Sequence, residues 1–337
     1  MRTLVGLSMA ALMAVAASYA FSPRATPVLA PTVLPVSQMH FNALVRSKAG
    51  WVAAGELGTI VVSADEGRSW ERARVAPERQ ALINQVAFDA DGVTGLAVGH
   101  EGWVLATRDG GRSWTEVAFA DKNGEPLMSV ARLPTGVWVA VGAFGRAIQS
   151  ADEGRNWTPL PLEGVEVDDR HLNRIVGSPD GREWLVVGER GLVLQLDPQT
   201  LRWQTVPPFY KGSLYNAAAL GDGRWVVYGM RGNAFHSSDG GRSWARAQLP
   251  VPASFFDHAI GADGRLVLVG QGGLLATSRD AGHSFTLARA GVRATLTGLQ
   301  LRPDGSGWLA SDAGLLPLPE APAPIPTTPA AASGASR

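Results

Sequence analysis

The chain has 337 residues, as many acidic as basic side chains, and a formal net charge of zero. That balance argues against a general nucleic-acid binder, which carries a basic excess. The absence of cysteine excludes disulfides, a thiol nucleophile, a cysteine metal site and a lipid-modified cysteine.

In chain order, Met1–Ala20 has a basic start at Arg2, an apolar stretch from Leu4 to Ala17 and a small-x-small site at Ser18-Tyr19-Ala20. This predicts an export signal cleaved after Ala20. The apolar run Thr3–Phe21 lies near the lower length limit of a membrane span, so an inner-membrane anchor facing the periplasm is the alternative. On either reading the body of the chain lies outside the cytoplasm, which in a bacterium means the periplasm.

From there the sequence repeats. The pattern Ser/Thr-x-Asp-x-Gly-x-x-Trp occurs at Ser63–Trp70, Thr107–Trp114, Ser150–Trp157 and Ser237–Trp244. It recurs with a final Phe at Ser278–Phe285, and in degenerate form at Leu196–Trp203, without the Gly. The carboxylate of Asp65, Asp109, Asp152, Asp239 or Asp280 can accept backbone N–H groups and hold a tight turn. The glycine allows positive φ. Trp70, Trp114, Trp157 or Trp244 then starts a strand and buries its ring. This is the Asp-box, or bacterial neuraminidase repeat, and its period is about 41–45 residues.

Ahead of each Asp-box stands an apolar run ending in Gly-x-x-Gly: Gly55–Gly58, Gly99–Gly102, Gly142–Gly145, Gly188–Gly191, Gly229–Gly232 and Gly270–Gly273, with Ser311–Gly314 as a seventh variant. Asp-Gly reversals such as Asp91-Gly92 and Asp304-Gly305 precede the runs. Each unit is therefore strand A, Asp-Gly turn, strand B, Gly-x-x-Gly turn, strand C, Asp-box turn, strand D. That predicts an all-β, seven-bladed β-propeller of four-stranded antiparallel blades over residues 21–318, with six or eight blades as alternatives. The seventh unit ends before any Asp-box, so the segment Arg24–Leu29 is expected to supply its D strand and close the ring. Pro319–Arg337, rich in Pro and Ala, is expected to be a disordered tail.

All eleven tryptophans fall at repeat positions, so inter-blade packing is preferred to an aromatic platform for sugars. The polar residues Asn42, Asn84, Ser129, Asn173, Asn216, Asp257 and Thr297 are read as second residues of the A strands, lining a channel mouth and bonding to backbone or water. The histidines show no metal-ligand spacing, and Asp-Gly turns lack a calcium ladder, so neither metal nor cofactor is expected. A sialidase-type site needs a tyrosine nucleophile with an acidic partner and three arginines. With Tyr210, Tyr215 and Tyr228 in an evenly spaced repeat free of long insertions, no catalytic residue is assigned and the chain reads as a non-enzyme.

Two faces remain. Arg68, Arg112, Arg155, Arg242 and His283 sit inside the Asp-box turns and read as a solvated rim. The opposite face carries the B–C turns and the D–A linkers, whose residues vary. It gathers Phe144, Arg146, His100, Arg170, His171, Arg190, Tyr210, Lys211, Arg231, Phe255 and Phe256, with Asp168 nearby. Aromatics and arginines on one face have the composition of a protein-binding patch. Arg190 and Arg231 on adjacent blades and Arg146 on the blade before are expected to carry the contact, with Phe144 and Phe255 as apolar anchors. The middle residues of the turns read as free of the fold's demands.

The paired Gly-x-x-Gly and Asp-box in each unit, with the run Val141–Gly145, resemble the photosystem II assembly/stability factor family of cyanobacteria and chloroplasts and its bacterial relatives, over about residues 24–318. The resemblance implies a seven-bladed Asp-box propeller outside the cytoplasm or in the thylakoid lumen that binds newly made membrane-protein subunits without chemistry. The sequence departs in lacking the N-terminal cysteine that many relatives use for lipid attachment, and the family's arginine patch cannot be matched to it residue by residue. The expectation is thus an exported monomer that binds a membrane-associated protein and no nucleic acid. The alternatives are a glycan-binding or sialidase-like propeller and an accessory protein of a membrane transporter.

Overall fold

The computed structural model describes residues 2–22, 34–119, 124–167 and 169–325. The leading segment is one helix, Arg2–Ala20. Among the described residues no helix is long and apolar enough to cross a membrane.

Leu34 onward forms seven mostly antiparallel sheets in sequence order, the seven blades of a β-propeller. Blade 1 shows the plan: A Phe41–Ser47, B Gly50–Gly55, C Ile60–Ser63 and D Glu71–Arg72. The B strands are the apolar runs of the repeat and are buried along their length, as in Trp138–Gly142 and Leu266–Gly270. The A strands contact one another around the axis and are innermost. Their first residues, Phe41, Ile83, Leu127, Leu172, Leu214, Phe255 and Leu296, are all at most 1% exposed. Phe255 is therefore a core side chain and not the surface anchor expected of it, because the repeat requires an apolar plug at that register.

Every A strand has a register shift after its first residue. This corrects the expected polar ring. The second positions are Asn42, Asn84, Met128, Asn173, Tyr215, Phe256 and Thr297, while Ser129, Asn216 and Asp257 occupy third positions. Second-position amides reach the next blade: Asn42 donates to the Ile83 carbonyl (3.2 Å), Asn84 to Leu127 (2.8 Å) and Asn173 to Leu214 (2.7 Å). The Thr297 hydroxyl donates to the Phe41 carbonyl at 2.5 Å and so ties blade 7 to blade 1. Third positions form a buried belt in which Gln85, Ser129 and Asp257 accept the N–H groups of Val130, Ile175 and Leu299 on neighbouring blades. These bonds satisfy polar groups that would otherwise be buried unpaired.

At the outer edges the chain makes additions that the repeat does not announce. Arg74–Ala76 pairs in parallel with the D strand of blade 2. Ala323–Pro324, expected to be disordered tail, pairs with the D strand of blade 6, and Ile325 packs on that blade's core. Among the described residues blade 7 has three strands, Leu296–Leu301, Gly307–Ser311 and Gly314–Pro317. The expected closing strand Arg24–Leu29 lies outside the described residues, as does Asp168. Leu34, Val36 and Met39 pack on the joint core of blades 1 and 7 with Trp70 and Trp308.

Candidate functional site

The Gly-x-x-Gly motifs fold as short 3-10 turns, and both glycines are required by close approach. A Cβ on the first would lie about 2 Å from a backbone carbonyl, as at Gly229 against Ser213 O (2.2 Å). A Cβ on the last would strike the following linker, 2.0 Å from Tyr210 O at Gly191 and 1.8 Å from Val251 O at Gly232. The same glycines donate into that linker: Gly145 to Arg170 O, Gly191 to Gly212 O and Gly232 to Ala253 O, at 2.7, 2.7 and 2.6 Å. The turn of one blade is thus locked to the D–A linker leading into the next.

Between the glycines the chain turns left-handed. Leu57, Glu101, Phe144, Arg190 and Arg231 have φ of 53–57°, and the sixth turn has Gly272 there, at 64°. These positions are therefore not free of the fold's demands. A left-handed L-residue costs roughly 1–2 kcal/mol, and Gly272 shows that the turn forms without a side chain. The side chains so held project outward: Leu57 and Phe144 are each 59% exposed, and Glu101, Arg190 and Arg231 are exposed too.

The predicted site residues assemble in part. Phe144 packs edge-on against His171 (5.1 Å between rings), and Glu189 accepts the His171 N–H at 3.1 Å. Tyr210 packs on Phe235 (5.1 Å), its hydroxyl folded toward Gly212, and burial raises its pKa. Phe256 stacks on Tyr215 at 5.3 Å beside the channel mouth. Arg146 donates to Glu125 O (3.0 Å) and lies over Gly102, leaning toward blade 2 and away from Arg190. His100 is exposed, and Arg170 serves through its backbone. Arg190 and Arg231 are exposed in the turns of blades 4 and 5, and Lys211 on the linker between those blades, with no carboxylate within ion-pair distance among the described residues.

The opposite face is chemically closed. In each full Asp-box the carboxylate accepts the N–H and side-chain donor of the residue four positions on. For Asp65 these come from Ser69 (2.9 and 2.6 Å), and for Asp152 from Asn156 (2.9 and 2.6 Å). Such bonds hold the carboxyls of Asp65 and Asp152 down to about 2. The indole N–H of Trp114, Trp157 and Trp244 donates to the glycine carbonyl of its own turn at 2.8–2.9 Å. Arginines on this face pair across blades. Glu66, held at about 2 chiefly by Arg46, also meets Arg302, while Arg132 joins Asp89 and Glu153. This pairing went unseen in the sequence; the signal was an Arg ending several A strands opposite the Glu of the Asp-box. Of the expected rim, Arg68, Arg112 and Arg155 are exposed, Arg242 donates to Asp239 O (2.7 Å), and His283 stacks on His236 (3.9 Å).

Within the propeller, Tyr210, Tyr215 and Tyr228 make no hydrogen bond to a carboxylate among the described residues; Tyr228 is buried with its hydroxyl 2.7 Å from His258 Nδ1. No group of three or more His, Asp or Glu is placed to hold a metal among these residues.

Fold and turns together define a seven-bladed β-propeller of the Asp-box class, with one bonded face and one decorated face. Solved structures share the fold: YCF48 bound to a D1 peptide (TM-score 0.67, 21% identity, covering 86% of this chain and 98% of that one) and YCF48 from Cyanidioschyzon merolae (0.66, 16%, 85% and 97%). So does the extracellular domain of a putative one-component system from B. thetaiotaomicron (0.64, 13%, 85% and 39%). A comparison with curated protein sequences returns no match. The chain belongs to the family described as photosynthesis system II assembly factor YCF48, which residues 32–317 match.

Proposed function

We propose that this propeller is a non-catalytic exported scaffold that holds a segment of a membrane-associated protein on its B–C/D–A face. The family relationship supports an assembly role, and the solved structure of YCF48 bound to a D1 peptide supports the holding of a peptide segment. The observation that carries the reading is the exposure of Arg190 and Arg231. Their turns keep them left-handed and, among the described residues, without an ion pair, the neighbouring Glu189 being turned to His171, whereas Arg46, Arg132 and Arg302 on the other face are neutralised. Forked guanidinium donors without partners suit acidic or carbonyl-rich segments. Phe144 beside His171 adds an apolar anchor. The basic start at Arg2, the apolar helix Arg2–Ala20 and the small-x-small site Ser18-Tyr19-Ala20 support reading this segment as an export signal and the propeller as lying outside the cytoplasm.

Photo-crosslinking in the host tests this, with benzoylphenylalanine at position 144 or 231 and, as the comparison, at 112 or 155. A membrane-protein adduct from 144 and 231 is expected. The triple Arg146→Ala/Arg190→Ala/Arg231→Ala should weaken the adduct formed from position 144 by about 1–2 kcal/mol for each hot-spot arginine. Adducts from 112 and 155 alone would mean that the other face binds.

A further inference from the structure

Two seams between blades on the Asp-box face are plugged by ion pairs, and the seam of blades 3 and 4 has no such plug among the described residues. At the seam of blades 2 and 3 the sixth residue of strand A, Arg132, bonds Asp89 and the Asp-box Glu153 and lies over Trp138. At the seam of blades 7 and 1, Arg46 and Arg302 share Glu66 over Trp51. At the seam of blades 3 and 4 the equivalent of Arg132 is Gly177, where a Cβ would lie 2.6 Å from the Trp184 ring, and the equivalent of Asp89 is Leu133. The Asp-box of blade 4 has also lost its Ser, its Glu and its Gly. Asp197 instead accepts the N–H groups of Gln199 and Thr200.

An apolar groove of about 640 Å³ results, floored by Leu133, Pro134, Val137, Leu160, Leu196 and Trp203. A second hollow of about 300 Å³ continues it through Leu160 and Leu201 to Glu163 and Arg202. Leu201 stands on its rim, left-handed at φ 54° and 58% exposed. Nothing in the fold needs an aliphatic side chain there, since the Leu201 N–H alone closes the turn onto Asp197 O (2.9 Å). The rim guanidinia face solvent in loose, exposed pairs that a carboxylate of a partner can replace: Arg182 is 84% exposed and 3.7 Å from an Asp180 that Ser178 already holds at 2.6 Å, and Arg202 is 72% exposed and 3.4 Å from an equally exposed Glu163.

We propose that this seam is a second docking site, on the face opposite the arginine turns, for an aliphatic segment of a partner protein flanked by acidic residues. The apolar floor and Leu201 take the aliphatic side chains, and Arg182 and Arg202 meet the flanking carboxylates. Open on one side, the groove fits side chains laid across it better than an acyl chain needing enclosure. A scaffold with sites on both faces can hold two segments at once.

The test is selection of a displayed random-peptide library on the full chain, in parallel on Leu201→Gly, on Arg182→Ala/Arg202→Ala and on Arg190→Ala/Arg231→Ala. Leu201→Gly removes the side chain while suiting the left-handed turn, so an unchanged melting curve certifies the fold. Aliphatic peptides with acidic flanks should enrich, fall roughly tenfold on Leu201→Gly, as loss of one buried Leu contact implies, and fall on the rim pair. They should persist on Arg190→Ala/Arg231→Ala, which separates this site from the proposed function. Three results would overturn the proposal: enriched peptides indifferent to Leu201→Gly, Leu201-dependent binding of cis-parinaric acid with no peptide enriched, or self-association of the chain abolished by Leu201→Gly.

Discussion

The left-handed turn residues give a prediction in which stability and binding move apart. Arg231 has φ 53°, and its equivalent Gly272 has 64°. Replacing Arg231 by Gly relieves roughly 1–2 kcal/mol of backbone strain and returns about 0.5–1 kcal/mol through the greater freedom of glycine in the unfolded chain. The net is near zero to about 1.5 kcal/mol of stabilisation, or up to roughly 2–3 °C in Tm for a domain of this size. The reverse change, Gly272→Ala, places its Cβ 3.6 Å from the nearest atom, Arg289 Nη1, so only backbone strain is added. It should cost about 0.5–1 kcal/mol. Gly232→Ala has a similar φ of 69°, but its Cβ would lie 1.8 Å from Val251 O, so the linker must move. The loss there should exceed that of Gly272→Ala by several-fold, as steric overlap at a locked turn does. Urea unfolding at constant m-value reads all three. Equal losses for Gly272→Ala and Gly232→Ala, or a markedly destabilised Arg231→Gly, would refute the reasoning. The first would mean that close approach to the linker does not fix the second glycine. The second would mean that the arginine is there for the fold.

How much was legible follows from where each requirement is written. Asp65 and Gly67 act within one turn, so their spacing carries the architecture: Ser69 bonds Asp65 four residues away, and Gly67 takes a φ of 89°. The burial of Phe255 was also readable, since it aligns with Phe41, Ile83 and Leu127 at the start of the A strands, but aromatic character was given more weight than register. The channel residues failed for a related reason. Choosing Ser129, Asn216 and Asp257 by polarity passed over Met128, Tyr215 and Phe256, and one residue of register separates the two rings. The plug missing at Gly177 and Leu133 is recorded only by comparing positions in different blades with their spatial partners. The left-handed cost at Arg190 has no sequence mark at all.

Acidification should weaken the ring in a defined window. Asp65 and Asp152 have folded pKa values of about 2 against an ordinary 3.8. A depressed folded pKa contributes stability that is present above the unfolded value and lost as pH falls through the folded one. Tm should therefore fall from about pH 4 toward pH 2, and Asp65→Asn/Asp152→Asn should flatten that fall. The ends of the chain supply the other prediction. Removal of Pro319–Arg337 takes away Ala323–Pro324, which pairs with Ala288 and Arg289, and Ile325, whose N–H donates to Leu287 O at 2.9 Å. Burying one aliphatic side chain contributes about 1.5–3 kcal/mol when complete, and Ile325 is only partly covered. The truncation should thus cost on the order of 1 kcal/mol and raise hydrogen exchange along Thr286–Arg289, leaving blades 1 to 5 unchanged. Removal of Ser22–Leu34 acts at the other junction, where Leu34 packs with Trp70 and Trp308 on the core shared by blades 1 and 7. If the same residues close the seventh blade, the loss should be far larger than that of the C-terminal truncation, with exchange rising along Gly314–Pro317. Equal melting temperatures for the two truncations would leave Thr297 and its neighbours on the innermost strands as the closure of the ring, with no part for the N-terminal segment.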